Sequence, residues 1–358
     1  MATALDRVRE RIVGAGGPIP FGDVVELALY DPDVGFYATG GRAGRRGDFL
    51  TSPEVGPLFG AVVARALDEW WDAAGRPDRW TVVEAGAGPG TLARAVLAAA
   101  RPDLREALRW VLVERAAAQR ELHADLVERQ GDAVRSVAEL PGAGADPCVV
   151  IANELLDNLP FDLLERTSAG WAEVLVGLSG DQLGEVLGPL RADPPEGAAG
   201  APVGARVPVQ SAAQAWLRAA LALAGPGGHV LTFDYASTTA DLAARPPTEW
   251  LRTYRRHARG AGPLAALGEQ DVTCEVCTDQ LAAVAVPTSD RSQAEWLAGH
   301  GIDELGEEGR RIWQERSAIG DLAAVRGRSR ITEAQALLDP AGLGAFRVLE
   351  WSRSASRR

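Results

Sequence analysis

A chain of 358 residues, 46% apolar and with a formal net charge of −12, is long enough for one elaborated domain or two. That charge excludes sequence-independent nucleic-acid binding, which needs a basic surface, and an anionic membrane as the main partner. Lysine is absent, which excludes Schiff-base chemistry, a pyridoxal lysine and the Walker A lysine.

Residues 1–30 read as two amphipathic helices around a Gly/Pro break at 14–18, followed by a glycine-rich loop with arginines at Arg42, Arg45 and Arg46. A helix then opens, with Ser52 as N-cap, Pro53 at the first helical position and Glu54 at the positive helix end. Its apolar stripe runs from Leu58 to Trp71 at helical spacing. From Trp80 onward strands at 81–84, 110–114, 133–137 and 148–152 alternate with helices near 91–100 and 116–130. A β meander occupies 161–190 and a Pro/Gly/Ala loop 190–205. A helix at 211–223 precedes a strand at 229–234. Residues 250–275 read as irregular, 282–286 as a strand, 292–299 and 303–317 as helices, and 344–351 as a closing strand. This alternation predicts an α/β fold, a doubly wound, mostly parallel sheet that binds its ligand at the carboxyl ends of the strands.

One such end holds the sharpest motif, Glu84-Ala85-Gly86-Ala87-Gly88-Pro89-Gly90-Thr91-Leu92. Alternate glycines let the backbone turn tightly and approach a ligand closely. Glu84, two residues before the first glycine, would repel a pyrophosphate. Thr91 stands where the dinucleotide fingerprint has its third glycine. S-adenosylmethionine carries no phosphate, and its amino and sulfonium groups are cationic, so it suits the turn better than NAD. Glu114 ends the next strand, where an acid can accept both ribose hydroxyls or cap a helix.

The segment Asn153-Glu154-Leu155-Leu156-Asp157-Asn158-Leu159-Pro160 follows the most apolar strand. It reads either as a capped short helix or as polar residues facing the ligand. In the second reading Glu154 and Asp157, three apart and able to share a face, offer carboxylates to a cationic nucleophile such as a guanidinium. Cys274 and Cys277 lack the further ligands a zinc site needs and read as ordinary thiols. The four histidines are scattered and no serine sits in a nucleophile elbow, so no metal site is expected. The basic stretch 251–257 reads as a solvated face or a lid.

These segments together resemble the MidA-like methyltransferases, a family that includes a mitochondrial factor for assembly of respiratory complex I. Residues 47–54 look like its signature G-D-F-x-T-[SA]-P-E, and residues 30–37 like its Y-x-P-x-x-G-Y-Y pattern. Residues 84–92 resemble its E-x-G-x-G-x-G-T-L loop, and residues 152–160 its A-N-E-x-x-D-A-L-P segment. Ala236 replaces a usual glycine, residues 276–278 replace a usual V-D-F, and the last eighty residues match poorly.

The resemblance implies a Rossmann-like class I methyltransferase fold, with S-adenosylmethionine as cofactor and methyl transfer to a protein nitrogen such as that of arginine. It implies cofactor contacts from Asp48, Thr51 and Ser52 besides Glu84, Gly86, Gly88, Gly90 and Glu114. Asn153, Glu154 and Asp157 are the catalytic candidates. Residues 1–75 should form a helical extension with a cofactor-covering loop. Residues 76–358 should form the methyltransferase domain, with insertions near 161–205 and 239–275. A catalytically silent assembly factor and an NAD-dependent oxidoreductase are the competing readings. No apolar core of signal-peptide type opens the chain and no segment can span a bilayer, so a cytoplasmic location is expected.

Overall fold

The computed structural model describes residues 2–40, 51–144, 146–255 and 258–352. Seven strands build the central sheet: β1 (Trp80–Ala85), β2 (Leu108–Val113), β3 (Val134–Val137), β4 (Cys148–Asn153), β5 (His229–Asp234), β6 (Ser289–Ser292) and β7 (Arg347–Ser352). Their order across the sheet is 3-2-1-4-5-7-6. β7 runs antiparallel to β5 and β6, and the remaining pairings are parallel. This is the expected Rossmann-like α/β architecture.

The strands are apolar on both faces because both faces are covered. Val82, Val149, Ile151, Leu231 and Phe233 pack under the helices Pro57–Ala73 and Thr91–Ala99. Their neighbours Val83, Val150 and Val230 pack under the helix Ser211–Ala224. Strand order reverses between β1 and β4, so a crevice opens at their carboxyl ends. Those ends carry the glycine turn and the Asn153–Pro160 segment.

A second apolar core lies beside the sheet. The helices Ala4–Ala15 and Phe21–Tyr30 contribute Val8, Phe21 and Leu29; the meander adds Leu163 and Val176; residues after 239 add Trp250 and Val272. Thr3 and Asp6 start the first helix with a reciprocal capping box. The short strand Ile19–Pro20 then pairs with Gly170–Ser179. No helix among the described residues is long and apolar enough to cross a membrane.

Four stretches depart from the sequence reading. The helix that the sequence places from Ser52 is broken into Ser52–Val55 and Pro57–Ala73, because a residue preceding proline avoids the helical region; Gly56 is extended there. Residues 116–130 likewise form two helices, Ala117–Glu121 and Ala124–Gln130. Residues 250–275 are not irregular: Leu251–Arg255 pairs with Ala258–Arg259 and with Asp271–Cys274. Residues 282–286 form no strand; the helix Thr278–Ala282 precedes β6. Two helices that the sequence reading lacks, Pro102–Ala107 and Leu322–Leu338, complete the fold.

Candidate functional site

β1 ends at Ala85, and the turn after it holds Gly86, Gly88 and Gly90 at φ of 69°, 50° and 77°. These are left-handed conformations that side chains disfavour, so three glycines are the local solution. A Cβ on Gly86 would also come within 3.0 Å of Leu155 Cδ1. Gly90 is the N-cap of the helix Thr91–Ala99.

The turn is held from both sides. Gly88 N–H donates to Glu114 Oε2 at 3.0 Å, and Ala116 N–H donates to Glu114 Oε1 at 2.8 Å. The Gly88 carbonyl faces His123 Nε2 at 2.7 Å, while His123 Nδ1 lies 2.8 Å from Ser136 Oγ. Burial lowers the pKa of His123, which favours the neutral ring, whose Nε2–H donates to that carbonyl. The sequence reading passed over His123 because it belongs to no local motif.

Glu84 is buried beneath the turn, where Trp110 Nε1–H donates to it at 2.8 Å. Burial raises its pKa to about 8. It is neutral over much of the range in which an exposed glutamate is charged, so a simple carboxylate–cation attraction overstates its role.

A cavity of about 350 Å³ opens over the turn. Glu84, Gly86, Gly88, Glu114, Thr51, Asn153 and Glu154 all line it, together with Tyr30, Tyr37 and Asn158. Leu140 beyond β3 joins them. Ser52 lies behind this wall: its N–H donates to Glu154 Oε1 at 3.1 Å and its hydroxyl to Gln293 Oε1 at 2.9 Å. Asp48 lies outside the described residues, as do Arg42, Arg45, Arg46 and His257.

Glu154 follows β4 at φ 49°, an unusual conformation for a residue other than glycine and one that clusters at functional sites. Its N–H continues the sheet pairing to the Phe233 carbonyl at 2.8 Å. Asn153 Nδ2 donates to Glu154 Oε1 at 3.1 Å, while Asn153 Oδ1 is buried and has no donor. Burial, then the neighbouring Asp157, raises Glu154 to about 8.

Asp157 does not line the cavity. The segment forms a 3-10 turn, Leu156–Asn158, and Asp157 faces Asp234 at the end of β5. Burial pushes both carboxyls well above the usual range, with the charge of Asp234 adding to it at Asp157 and that of Glu154 at Asp234. Each has one oxygen without a donor, which a proton shared between them would satisfy. Asp234 Oδ2 accepts from Leu156 N–H at 2.9 Å. Asp271, brought by the short sheet at 251–274, accepts from Tyr37 Oη at 3.1 Å and Asn158 Nδ2 at 3.0 Å. Neither acid is among the site residues expected from the sequence, because its neighbours come from distant segments.

The basic stretch near 251 is ion-paired. Arg245 and Arg252 hold Glu275 at 2.6 and 3.0 Å, and Arg255 holds Glu269 at 2.6 Å. Cys148, Cys274 and Cys277 are free and buried. Among the described residues, no cluster of metal-binding side chains forms.

Residues 62–294 match the family model described as "Putative S-adenosyl-L-methionine-dependent methyltransferase". The chain belongs to that family. It is similar to the Drosophila melanogaster protein arginine methyltransferase NDUFAF7 homolog, mitochondrial, at 31% identity over 197 residues, covering 48% of this chain and 44% of that one. The Homo sapiens protein arginine methyltransferase NDUFAF7, mitochondrial, is 27% identical over 200 residues, covering 48% and 45%. These matches span less than half the length of each relative. A Burkholderia thailandensis protein bound to S-adenosyl-homocysteine in its crystal structure superposes with a TM-score of 0.84 at 28% identity, covering 98% of this chain and 92% of that one.

The expected cytoplasmic location is corrected by these relatives, whose names are mitochondrial. A missing apolar signal core bears on secretion and a missing span on membrane insertion, and neither bears on mitochondrial import.

Proposed function

We propose that this methyltransferase moves the methyl group of S-adenosylmethionine to a guanidinium nitrogen of a protein arginine. The observation that carries the reading is one cavity shared by the glycine turn and the half-buried pair Asn153 and Glu154. The residues present fit the cofactor. The turn leaves room for close approach, Glu114 directly follows β2 where ribose hydroxyls would meet it, and Asn153 Oδ1 is a buried acceptor suited to an ammonium group. When bound, S-adenosylmethionine supplies an electrophilic methyl on a positively charged sulfur.

In this reading Glu84, Gly86, Gly88, Gly90 and Glu114 hold the cofactor, Thr51 meets it from the N-terminal extension, residues 1–75, and Ser52 acts from behind the wall through Glu154. Glu154 receives the acceptor. Its Oε1 already accepts from Ser52 and Asn153, so Oε2 is the atom that takes the acceptor's proton. A pKa near 8 suits a group that must both pair with a cation and carry a proton. Asp157, facing Asp234, supports Glu154 from behind the wall. Tyr30 and Tyr37, stacked with ring centroids 5.5 Å apart, narrow the cavity and keep water out of it.

Calorimetric titration tests the cofactor half of the reading. S-adenosylmethionine and S-adenosyl-homocysteine should both bind. Binding of NAD in their place would overturn it.

A further inference from the structure

The turn Thr51–Val55 roofs the cavity through Thr51, Pro53 and Glu54. It also reaches both halves of the site, since Ser52 N–H donates to Glu154 and the Thr91 hydroxyl donates to Glu54. Yet Ser52–Val55 is a single helical turn without a side-chain cap, too short to hold itself in place.

Two buried side chains from beyond residue 290 hold it. Gln293 accepts from the Ser52 hydroxyl at 2.9 Å and donates to the Leu337 carbonyl at 3.4 Å. Glu333, only 3% exposed, accepts from Leu58 N–H at 2.9 Å. It thereby caps the helix Pro57–Ala73 from another segment, because Gly56 at the N-cap has no side chain to do so. A Cβ on Gly56 would lie 2.2–2.5 Å from the Glu333 carboxyl. The carboxyl is therefore packed against the link between the two helices.

We propose that Glu333 and Gln293 are positioning residues through which the helices Leu322–Leu338 and Gln293–Gly299 set the turn Thr51–Val55 and, through Ser52 N–H, the Glu154 carboxyl. The proposal rests on the role given to Glu154 above. Through Glu333 it assigns a task to a helix that lies beyond the stretch matched by the family model, which ends at residue 294. Besides Ser52 and Asn153, the groups facing Glu154 are Asp157 from its own turn, Asp234 and Tyr235 from the end of β5, and Asp271.

The test is calorimetric titration of the full chain with S-adenosylmethionine between pH 6 and pH 9. Glu84 lines the same cavity and is also raised to about 8, so each variant is compared in a Glu84→Gln background. There the affinity should rise with pH as Glu154 ionises and attracts the cation, and this step should vanish when Glu154→Gln is added. In Glu333→Ala the midpoint of the step should move up by about half a pH unit, because Glu154 loses a donor that favours its charged form. Glu333→Gln keeps an oxygen for Leu58 N–H and should restore the midpoint. Ser52→Ala removes only the Gln293 contact, should shift the midpoint in the same direction, and serves if Glu333→Ala does not fold. An unmoved midpoint in either folded variant, whatever its melting temperature, would overturn the assignment. So would a Glu84→Gln affinity with no pH step. Affinity is read here without turnover. A chain that shows the step and its shifts but transfers no methyl group would therefore refute the proposed reaction and support the positioning role.

Discussion

His123 Nε2 lies 2.7 Å from the Gly88 carbonyl, so a buried ring 35 residues away props the glycine turn. Glu114 holds the same residue by its N–H. The turn's shape is thus set by two side chains on the segment that follows β2, and not by its glycines alone.

Replacing His123 by alanine leaves that carbonyl without its donor and frees the turn. Affinity for S-adenosyl-homocysteine should fall about tenfold, roughly 1.4 kcal/mol, although the ring is not among the residues lining the cavity. Calorimetry on the folded variant checks this, and an unchanged dissociation constant would remove His123 from the account.

The turn itself, β1 and β4 were legible in the sequence because each is a short, continuous signal: glycines at fixed spacing, or a run of apolar residues. His123, Asp234, Asp271 and Glu333 were not legible, since each matters through a partner 35 to 275 residues away. The sheet at 251–274 escaped for a similar reason. Its strands are short, and Leu251 pairs with Cys274 across a long connection. The helix Leu322–Leu338 has no apolar stripe to announce it; it buries Ala324, Gly327, Glu333 and Leu337. Of the proposed catalytic acids, Glu154 lines the cavity. Asp157 does not, because a 3-10 turn directs it toward Asp234 and away from the face a regular helix would share.

Glu114→Ala removes the carboxylate that holds Gly88 and, in the proposed site, the ribose. S-adenosylmethionine and S-adenosyl-homocysteine should weaken equally, by roughly 1–3 kcal/mol, because both carry the ribose. A loss confined to the sulfonium form would place Glu114 elsewhere in the site.

Gly86→Val sets a branched side chain at φ 69° and within 3.0 Å of Leu155. Cofactor binding should be lost, while circular dichroism shows a folded chain, since the strain is local to the turn. A folded variant with wild-type affinity would refute the assignment of this turn to the cofactor.

The raised pKa of Glu84 has a thermodynamic sign. In the native chain the carboxyl keeps its proton up to about pH 8, whereas in the unfolded chain it releases it near 4.5, as an ordinary glutamate does. The native state therefore binds more protons between those limits. The stability from this group is present at low pH and declines as pH rises toward 8. Glu84→Gln keeps an oxygen for the Trp110 indole and removes the titration. Urea unfolding should show the variant gaining on wild type steadily from pH 5 to pH 8. Parallel pH dependence in the two proteins would contradict the buried, protonated Glu84.

Glu154 carries the central claim. Labelled methyl from S-adenosylmethionine should be incorporated by the wild-type chain into proteins of a host lysate depleted of the native enzyme. Amino-acid analysis should find the label on arginine. Glu154→Gln should retain S-adenosyl-homocysteine affinity within about threefold and lose at least tenfold in labelling, because the amide can neither take the proton nor pair fully with a cation. Label that is indifferent to Glu154, or a wild type that binds the cofactor and labels nothing, would contradict the account.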